Sequence, residues 1–178
     1  MSADVGSAAE RPLIRLADLT GPDALEVGAA VRAYLQQTEL EKSLQEPGDA
    51  LDSVVSLPER YLREVEDPAA AYVEHRVWLA QLGARIVGVV VLSVVDEAAE
   101  IKRLWTAPAA RGRGVGSALL DAALHDATDL GAAQVRLSVW DWRDGAVRLY
   151  ESRGFERVPS WDERERLVCM VRATHAGS

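Results

Sequence analysis

The sequence lacks several features that are typical of secreted, membrane and nucleic-acid-binding proteins. Cys169 is the single cysteine, which excludes an intramolecular disulfide and fits a reducing compartment. The longest apolar run, Ile86 to Val95, is about half of the ~20 residues that a membrane-spanning helix needs. No cluster of lysine and arginine could follow a phosphate backbone. We therefore expect a soluble, cytoplasmic protein with neither a membrane nor a nucleic acid as partner, and a Cys169 buried in the core.

Apolar residues are abundant enough for one packed core. The chain has 178 residues, of which 48% are hydrophobic and 27% are charged, and the charges are spread along the sequence. We predict one domain over residues 11–173, a disordered N-terminal tail over 1–10 and a C-terminal tail over 174–178. Neither end has the pattern of a secretion signal. The net charge of −8 favours a cationic acceptor such as an amine.

Hydrophobic periodicity predicts a mixed α/β fold on one sheet. Residues 11–19 alternate like an edge strand, and apolar spacing from Asp23 predicts a helix whose pattern fades beyond Glu39. After the break at Pro47-Gly48-Asp49, residues 57–65 predict a short helix that ends before Pro68, and we expect the intervening stretch to be mobile or to face substrate. Later patterns predict strands at 76–82, 86–95, 98–106, 134–140, 155–158 and 165–171, and helices at 119–130 and 144–153.

A glycine-rich loop joins one of these strands to a helix. Gly112, Gly114 and Gly116 let the backbone turn tightly and expose N–H groups, and the helix dipole adds positive potential. This geometry suits a diphosphate. A dinucleotide fingerprint would need glycine where Ser117 stands, and the ending of a P-loop is absent. The remaining alternative is a surface loop without a ligand.

Three blocks of sequence resemble the GNAT superfamily of N-acetyltransferases. The string Arg111-x-x-Gly114-x-Gly116, after a strand that ends in Leu104-Trp-Thr106-x-Pro108, is similar to the acetyl-CoA signature of that family. The later block Ala146-x-x-Leu149-Tyr150-x-x-x-Gly154-Phe155 and the earlier hairpin around Gly88 also match. The resemblance covers about Val77 to Phe155. It implies a single α/β domain with a mixed, mostly antiparallel sheet of about six to seven strands, splayed at the acetyl-CoA site and flanked by about four helices.

The resemblance also implies a binding site for acetyl-CoA as co-substrate. Backbone N–H groups from Gly112 to Ser117 would hold the diphosphate, and the pantetheine arm would lie like an added strand between the splayed strands. Backbone N–H near Leu104 would polarise the thioester oxygen. Arg143 stands where many family members have asparagine, and a cation there is expected to approach a CoA phosphate. The implied cofactor-binding residues are Leu104, Trp105, Thr106, Arg111, Gly112, Arg113, Gly114, Val115, Gly116, Ser117, Arg143 and Tyr150.

Two residues are candidates for the chemistry. Tyr150 resembles the family tyrosine that donates a hydrogen to the departing sulfur; the alternative is a core aromatic. Glu100 lies where some family members carry a glutamate base; the alternative is a solvated glutamate at a strand end. Strand alternation predicts that Glu100 and Leu104 share one face. We expect no metal site, because the histidines and Cys169 lack ligand spacing.

These residues imply an N-acyltransferase that moves acetyl from acetyl-CoA to a primary amine of a small molecule or peptide, as a monomer or homodimer. Alternatives are a non-catalytic acyl-CoA-binding regulatory module and a structural domain without a ligand. The acidic stretches 39–41 and 64–67 are interpreted as solvated helix faces rather than as an acceptor site. Trp140 and Trp142 are expected either to line a channel or to pack in the core.

Overall fold

The computed structural model describes residues 10–45 and 56–174. Within these ranges the chain forms a seven-stranded sheet, five α-helices and one 3-10 helix at Pro108–Ala110. The strands are β1 (Leu13–Leu16), β2 (His75–Leu82), β3 (Arg85–Val95), β4 (Ala98–Thr106), β5 (Gln134–Trp140), β6 (Glu156–Val158) and β7 (Leu167–Ala173). The α-helices are α1 (Asp23–Gln45), α2 (Glu59–Glu66), α3 (Pro68–Ala71), α4 (Val115–Asp129) and α5 (Asp144–Ser152). No helix in these ranges is long and apolar enough to cross a membrane.

The sheet is antiparallel except at its centre. Its strand order is β1-β2-β3-β4-β5-β7-β6, and only β4 and β5 pair in parallel. The first strand lies at an edge, as the sequence predicts. The fold class is therefore confirmed: a mixed α/β domain with a mostly antiparallel sheet.

Helices cover both faces of the sheet, which explains the long apolar run in β3. Val90 and Leu92 belong to the core beneath α4 and α5, whereas Val89 and Val91 belong to the core beneath α1 and α2. Because successive side chains of a strand point to opposite faces, a strand covered on both sides is apolar throughout. Cys169 is 1% exposed, which confirms that it is a core residue.

The structure adds detail to the predicted helices and to the residues near both ends of the described ranges. Helix α1 continues to Gln45, well beyond the end of its apolar pattern, because its last turns make polar contacts. Pro68 lies just past the end of α2, as predicted, and it also begins the short helix α3, which the sequence pattern did not predict. Glu10, assigned to the N-terminal tail, accepts a hydrogen bond from the Gly83 N–H. Thr174 donates its N–H to Ala133. The break at 47–49 lies outside the described residues.

Gly28 allows α1 to lie directly on α2 and α3. A Cβ at this position would lie 2.4 Å from the carbonyl oxygen of Val65 and 3.3 Å from Cγ of Pro68. We expect Gly28→Ala to lower the free energy of unfolding by about 1–3 kcal/mol, because the two helices must separate. Chemical denaturation measures this change. Gly145→Ala is the matched control, since no described atom lies within 4 Å of a Cβ built on that residue and the helix gains from alanine. Equal stability of the two variants would contradict close packing at Gly28.

Candidate active site

The central strands β4 and β5 separate along most of their length. They pair only where Ala98 to Glu100 face Gln134 to Arg136, and no pairs join the rest of β4 to β5. The other side of β5 pairs with β7 over the whole strand. The separation opens a cleft of about 900 Å³ through the sheet, lined by Ser138 and Val139 of β5 and by β4 from Glu100 to Thr106. One side of β5 therefore offers unpaired backbone groups to the cleft.

A β-bulge interrupts β4 at the point where the cleft opens. Val89 pairs with Trp105 and Val91 pairs with Lys102, so two residues of β4 face the single residue Val90. The bulged residue Arg103 has a φ of 55°, in the left-handed region that costs a non-glycine residue about 1 kcal/mol or more. A bulge leaves backbone groups out of the ladder, beside the cleft.

The bulge corrects the predicted alternation along β4. Ile101 and Leu104 both contact the core beneath α4 and α5, although they are three positions apart, an odd spacing that would place them on opposite faces of a regular strand. Glu100 pairs with Ser93 and Lys102 pairs with Val91, which belongs to the core beneath α1. Glu100 and Leu104 therefore lie on opposite faces of the sheet, not on one face as the sequence predicts. The inserted residue shifts the alternation by one position.

The glycine loop forms a turn with open backbone donors at the start of α4. Gly112 and Gly114 have φ values of 74° and 77°, and no described atom lies within 4 Å of a Cβ built on either residue. The first helical hydrogen bond runs from the Ala118 N–H to the Gly114 carbonyl. Among the described residues no acceptor contacts the N–H groups from Gly112 to Ser117. Loop and helix end together form a cradle suited to an anion.

Tyr150 places a buried phenol at the cleft wall. The residue is 7% exposed, its ring packs edge-on against Phe155 at 5.8 Å between centroids, and it lines the cleft. No hydrogen-bond acceptor or donor contacts its hydroxyl within residues 10–45 and 56–174. Burial, and secondarily the nearby Tyr34, raise the pKa of Tyr150 above its ordinary value. The phenol is therefore protonated at neutral pH and has a proton to donate.

Glu100 also lines the cleft, on the face of β4 opposite to that of Leu104. Its Oε2 accepts a hydrogen bond of 3.2 Å from Arg136 on β5, and about a quarter of its side chain is exposed. The partly solvated ion pair holds the carboxylate at the point where β4 and β5 diverge. Its role, as a base or as a partly solvated glutamate, stays a prediction.

The last turns of α1 fasten that helix to the start of α5. The Arg143 guanidinium donates to Glu41 at 2.7 Å, to the Thr38 hydroxyl at 2.8 Å and to the Tyr34 hydroxyl at 3.4 Å. The Trp142 indole also donates to Glu41. Burial alone would raise the pKa of Glu41, but these hydrogen bonds and that of Gln37 lower it below its ordinary value. Arg143 lines the cleft while its guanidinium binds α1, so its contact with a CoA phosphate stays a prediction.

A second ion pair ties the bulge to α2. The Nε and Nη2 atoms of Arg103 donate to the two carboxylate oxygens of Glu64 at 2.8 Å, and Tyr72 donates to the same carboxylate at 2.6 Å. The guanidinium also lies over the rings of Tyr34 and Tyr61. Glu41 and Glu64 are thus paired and partly buried, so the interpretation of their stretches as solvated helix faces is wrong for these two residues.

Glu64→Gln is expected to destabilise the fold by about 2 kcal/mol, because it leaves the bulge arginine without its counter-charge; the figure allows for partial exposure. Burial would raise the pKa of Glu64, but the hydrogen bonds from Arg103 and Tyr72 lower it overall. A lowered pKa contributes stability above the unfolded-state value, and that stability is lost as pH falls through the folded-state value.

Denaturation at neutral pH and at several pH values below about 4.5 tests this prediction. The variant should lose both the stability at neutral pH and part of the acid dependence. An unchanged acid dependence would mean that the ion pair does not stabilise the fold.

A sequence model of the acetyltransferase (GNAT) family matches residues 40–155, from the last turns of α1 through α5. The chain belongs to the GNAT family. A segment of 54 residues is 37% identical to thialysine N-epsilon-acetyltransferase of Sus scrofa, over 30% of this chain and 32% of that protein. A segment of 87 residues is 36% identical to N-acetyltransferase 8 of Rattus norvegicus, over 46% of this chain and 39% of that protein. The chain thus spans about a third of the length of these curated relatives.

Solved structures share the GNAT fold at low sequence identity. The PaiA N-acetyltransferase of Thermoplasma acidophilum, solved in complex with coenzyme A, superposes with a TM-score of 0.69 and 16% identity. The alignment covers 92% of this chain and 99% of that one. At this identity the likeness is one of fold.

Some cleft residues of this GNAT chain were not predicted from the sequence. They share the α1–α2 side of the cleft or the loop between β6 and β7. One signal could have found the first group: polar residues follow the apolar stripe of α1 at helical spacing. The pair Trp140 and Trp142 stacks at 4.7 Å outside the cleft lining. The overlooked residues are Tyr34, Gln37, Arg60, Tyr61 and Arg164.

Proposed function

We propose that the protein transfers an acetyl group from acetyl-CoA to a primary amine of a small molecule or peptide, by direct attack within a ternary complex. The observation that carries this proposal is the cleft between β4 and β5, which joins the anion cradle of α4 to the Tyr150 hydroxyl. Membership of the acetyltransferase family supports the reaction class.

The cradle residues fit the charged end of acetyl-CoA. The N–H groups from Gly112 to Ser117 would bind the diphosphate, because they have no acceptor among the described residues. Arg113 is exposed beside them, and Arg111 donates to Gln37 on α1 at 2.7 Å. When bound, acetyl-CoA supplies an activated acetyl group as a thioester.

The separated strands fit the arm that carries the thioester. The backbone of β5 at Ser138 and Val139 has no partner strand on the β4 side, so an extended arm can add to the sheet there. The bulge at Arg103 and Leu104 leaves backbone groups of β4 out of its ladder with β3. A Leu104 N–H directed at the thioester oxygen would stabilise the negative charge that develops there.

The reaction forms a nitrogen–carbon bond and breaks the carbon–sulfur bond. The amine attacks as the free base and loses one proton, and the departing thiolate gains one proton. Tyr150 is the group we assign to the second transfer, because its phenol is buried, protonated and without another partner. Glu100, acting directly or through water, is the group we assign to the first.

Glu100→Gln is expected to lower kcat/KM for the amine about tenfold at neutral pH, because the amide cannot accept the amine's proton. The loss should shrink as pH rises, since more of the amine is then already deprotonated. Glu97→Gln, on the exposed turn before β4, is the matched control. A loss that is the same at every pH would assign Glu100 a role in binding instead of proton transfer.

Calorimetric titration with acetyl-CoA tests the cofactor half of the proposal. Saturable binding with one site per chain supports it, and binding of CoA with similar affinity would assign most of the affinity to the nucleotide end. If acetyl-CoA does not bind, the proposed function fails, and with it the regulatory module.

A further inference from the structure

The cleft has a charge opposite to that of the whole chain. Among the described residues that line it, one side chain is a carboxylate, Glu100, and the others with charge are cations. The net charge of the chain is −8. Screening limits the reach of surface charges to about 8–10 Å, so a ligand in the cleft responds mainly to the lining. The lining cations are Arg60, Lys102, Arg103, Arg111, Arg143 and Arg164.

Several of these cations are paired with carboxylates that lie outside the cleft lining. Glu64 binds Arg103, Glu41 binds Arg143, and Asp162 binds Arg164 at 2.6 Å. The first two pairs are largely withdrawn from solvent, with side chains about a fifth exposed, and hold the bulge and α1 in position. Arg164 keeps about half of its side chain exposed.

Two further cations on the α1–α2 side have no carboxylate partner within the described ranges. Lys102 is exposed on the same face of β4 as Glu100 and forms no ion pair there. Arg60, exposed on α2, contacts the Tyr61 ring at 4.5 Å and donates to the Tyr61 hydroxyl at 3.3 Å. The glycine loop and Tyr150 belong to the other side of the sheet, with α4 and α5. Lys102 and Arg60 therefore face the side from which the second substrate would enter.

We infer that the acceptor is a primary amine that also carries a carboxylate, bound by Lys102 and Arg60. Glu100 would attract the ammonium group of the same molecule. This inference rests on the proposed function and names the substrate class of that site. It reverses the expectation of a purely cationic acceptor, because a polyamine would meet repulsion from two unpaired cations, while the one lining carboxylate, Glu100, is already paired with Arg136.

A comparison of matched amines measures how much the carboxylate contributes to recognition of the acceptor. The probes are the common L-amino acids, each compared with its carboxamide and its decarboxylated amine, and phosphoethanolamine compared with ethanolamine. Release of the CoA thiol is followed at fixed acetyl-CoA. We expect kcat/KM to be at least tenfold higher for carboxylated amines than for their amides. This preference opposes intrinsic reactivity, since the amine of an amide is less basic and a larger fraction of it is unprotonated at neutral pH.

The variants Lys102→Gln and Arg60→Gln assign the preference to the cleft. Each should raise KM for the carboxylated amine about tenfold and change kcat/KM for the matched amide far less. Both should leave KM for acetyl-CoA unchanged. Arg32→Gln removes the same charge from an exposed position of α1 outside the cleft lining, and should leave the preference intact.

The outcomes separate this inference from the proposed function. Turnover of amides or decarboxylated amines in preference to the acids overturns the inference and leaves the transferase. If phosphoethanolamine is preferred over every carboxylated amine, the inference that the acceptor carries a carboxylate is wrong. If the preference for carboxylated amines is the same in both variants as in the wild type, Lys102 and Arg60 do not bind the carboxylate. If no amine of either series causes thiol release, the proposed function itself is contradicted.

Discussion

Tyr150→Phe is expected to lower kcat by about a hundredfold or more and to leave KM for acetyl-CoA nearly unchanged. Tyr150 is largely buried, its hydroxyl at the cleft wall has no partner among the described residues, and general acid catalysis contributes about 10²–10⁴-fold. Removing one oxygen keeps the ring in its edge-on contact with Phe155. Stopped-time thiol assays with purified variant and wild type measure the change.

Tyr34→Phe is the control for this variant. Tyr34 is also a phenol that lines the cleft, but its hydroxyl accepts a hydrogen bond from Arg143. Its loss should reduce kcat much less than the loss of the Tyr150 hydroxyl. Equal kcat in Tyr150→Phe and wild type would remove Tyr150 from the mechanism and leave it a core aromatic.

Gly114→Val is expected to weaken acetyl-CoA binding at least tenfold. Gly114 has a left-handed φ of 77° and is the residue before the first turn of α4. A β-branched residue is strained there by about 1–2 kcal/mol, and relieving that strain turns the neighbouring N–H groups out of the cradle. Open space surrounds the position, so the effect does not require a clash within the protein. Calorimetry gives the affinity.

Gly131→Val is the control that distinguishes an effect on the anion cradle from the general effect of backbone strain. Gly131 follows the other end of the same helix, has a φ of 82° and also has no described atom near a built Cβ. The two variants should lose similar amounts of stability in thermal melts, whereas Gly114→Val alone should lose affinity. Unchanged affinity in Gly114→Val would contradict the assignment of this loop to the diphosphate.

Local sequence signals predicted the sheet well. Strands β4 and β5 begin and end at the predicted residues, because turn residues bound each apolar pattern. The glycine loop was predictable for a related reason: positive φ values require glycine, so the constraint is visible in the residue type. The splay followed from the family resemblance rather than from any residue of β4 or β5.

The bulge and its ion pair were not predictable from these signals. The segment from Ile101 to Leu104 contains no glycine or proline, and an inserted residue leaves no mark in a short alternating pattern. The partners of Glu41 and Glu64 lie 102 and 39 residues away along the chain. A single sequence carries no information about such pairings, so both carboxylates resembled solvated surface charges.

Net charge did not predict the charge of the cleft, for a similar reason. The carboxylates are in excess over the whole chain, but those nearest the cleft are bound to arginines whose other faces line it. Composition gives the sum of the charges, and only the fold gives the side on which each lies.

Amine-dependent release of CoA is the measurement that tests the central claim most directly. Purified protein is incubated with acetyl-CoA alone and with amines, and the free thiol and the acetylated amine are quantified together. We predict negligible thiol without an amine, and equal amounts of thiol and acetylated product with a carboxylated amine. Saturable acetyl-CoA binding without thiol release on any amine would contradict the account, and would favour an acyl-CoA-binding module over an acetyltransferase.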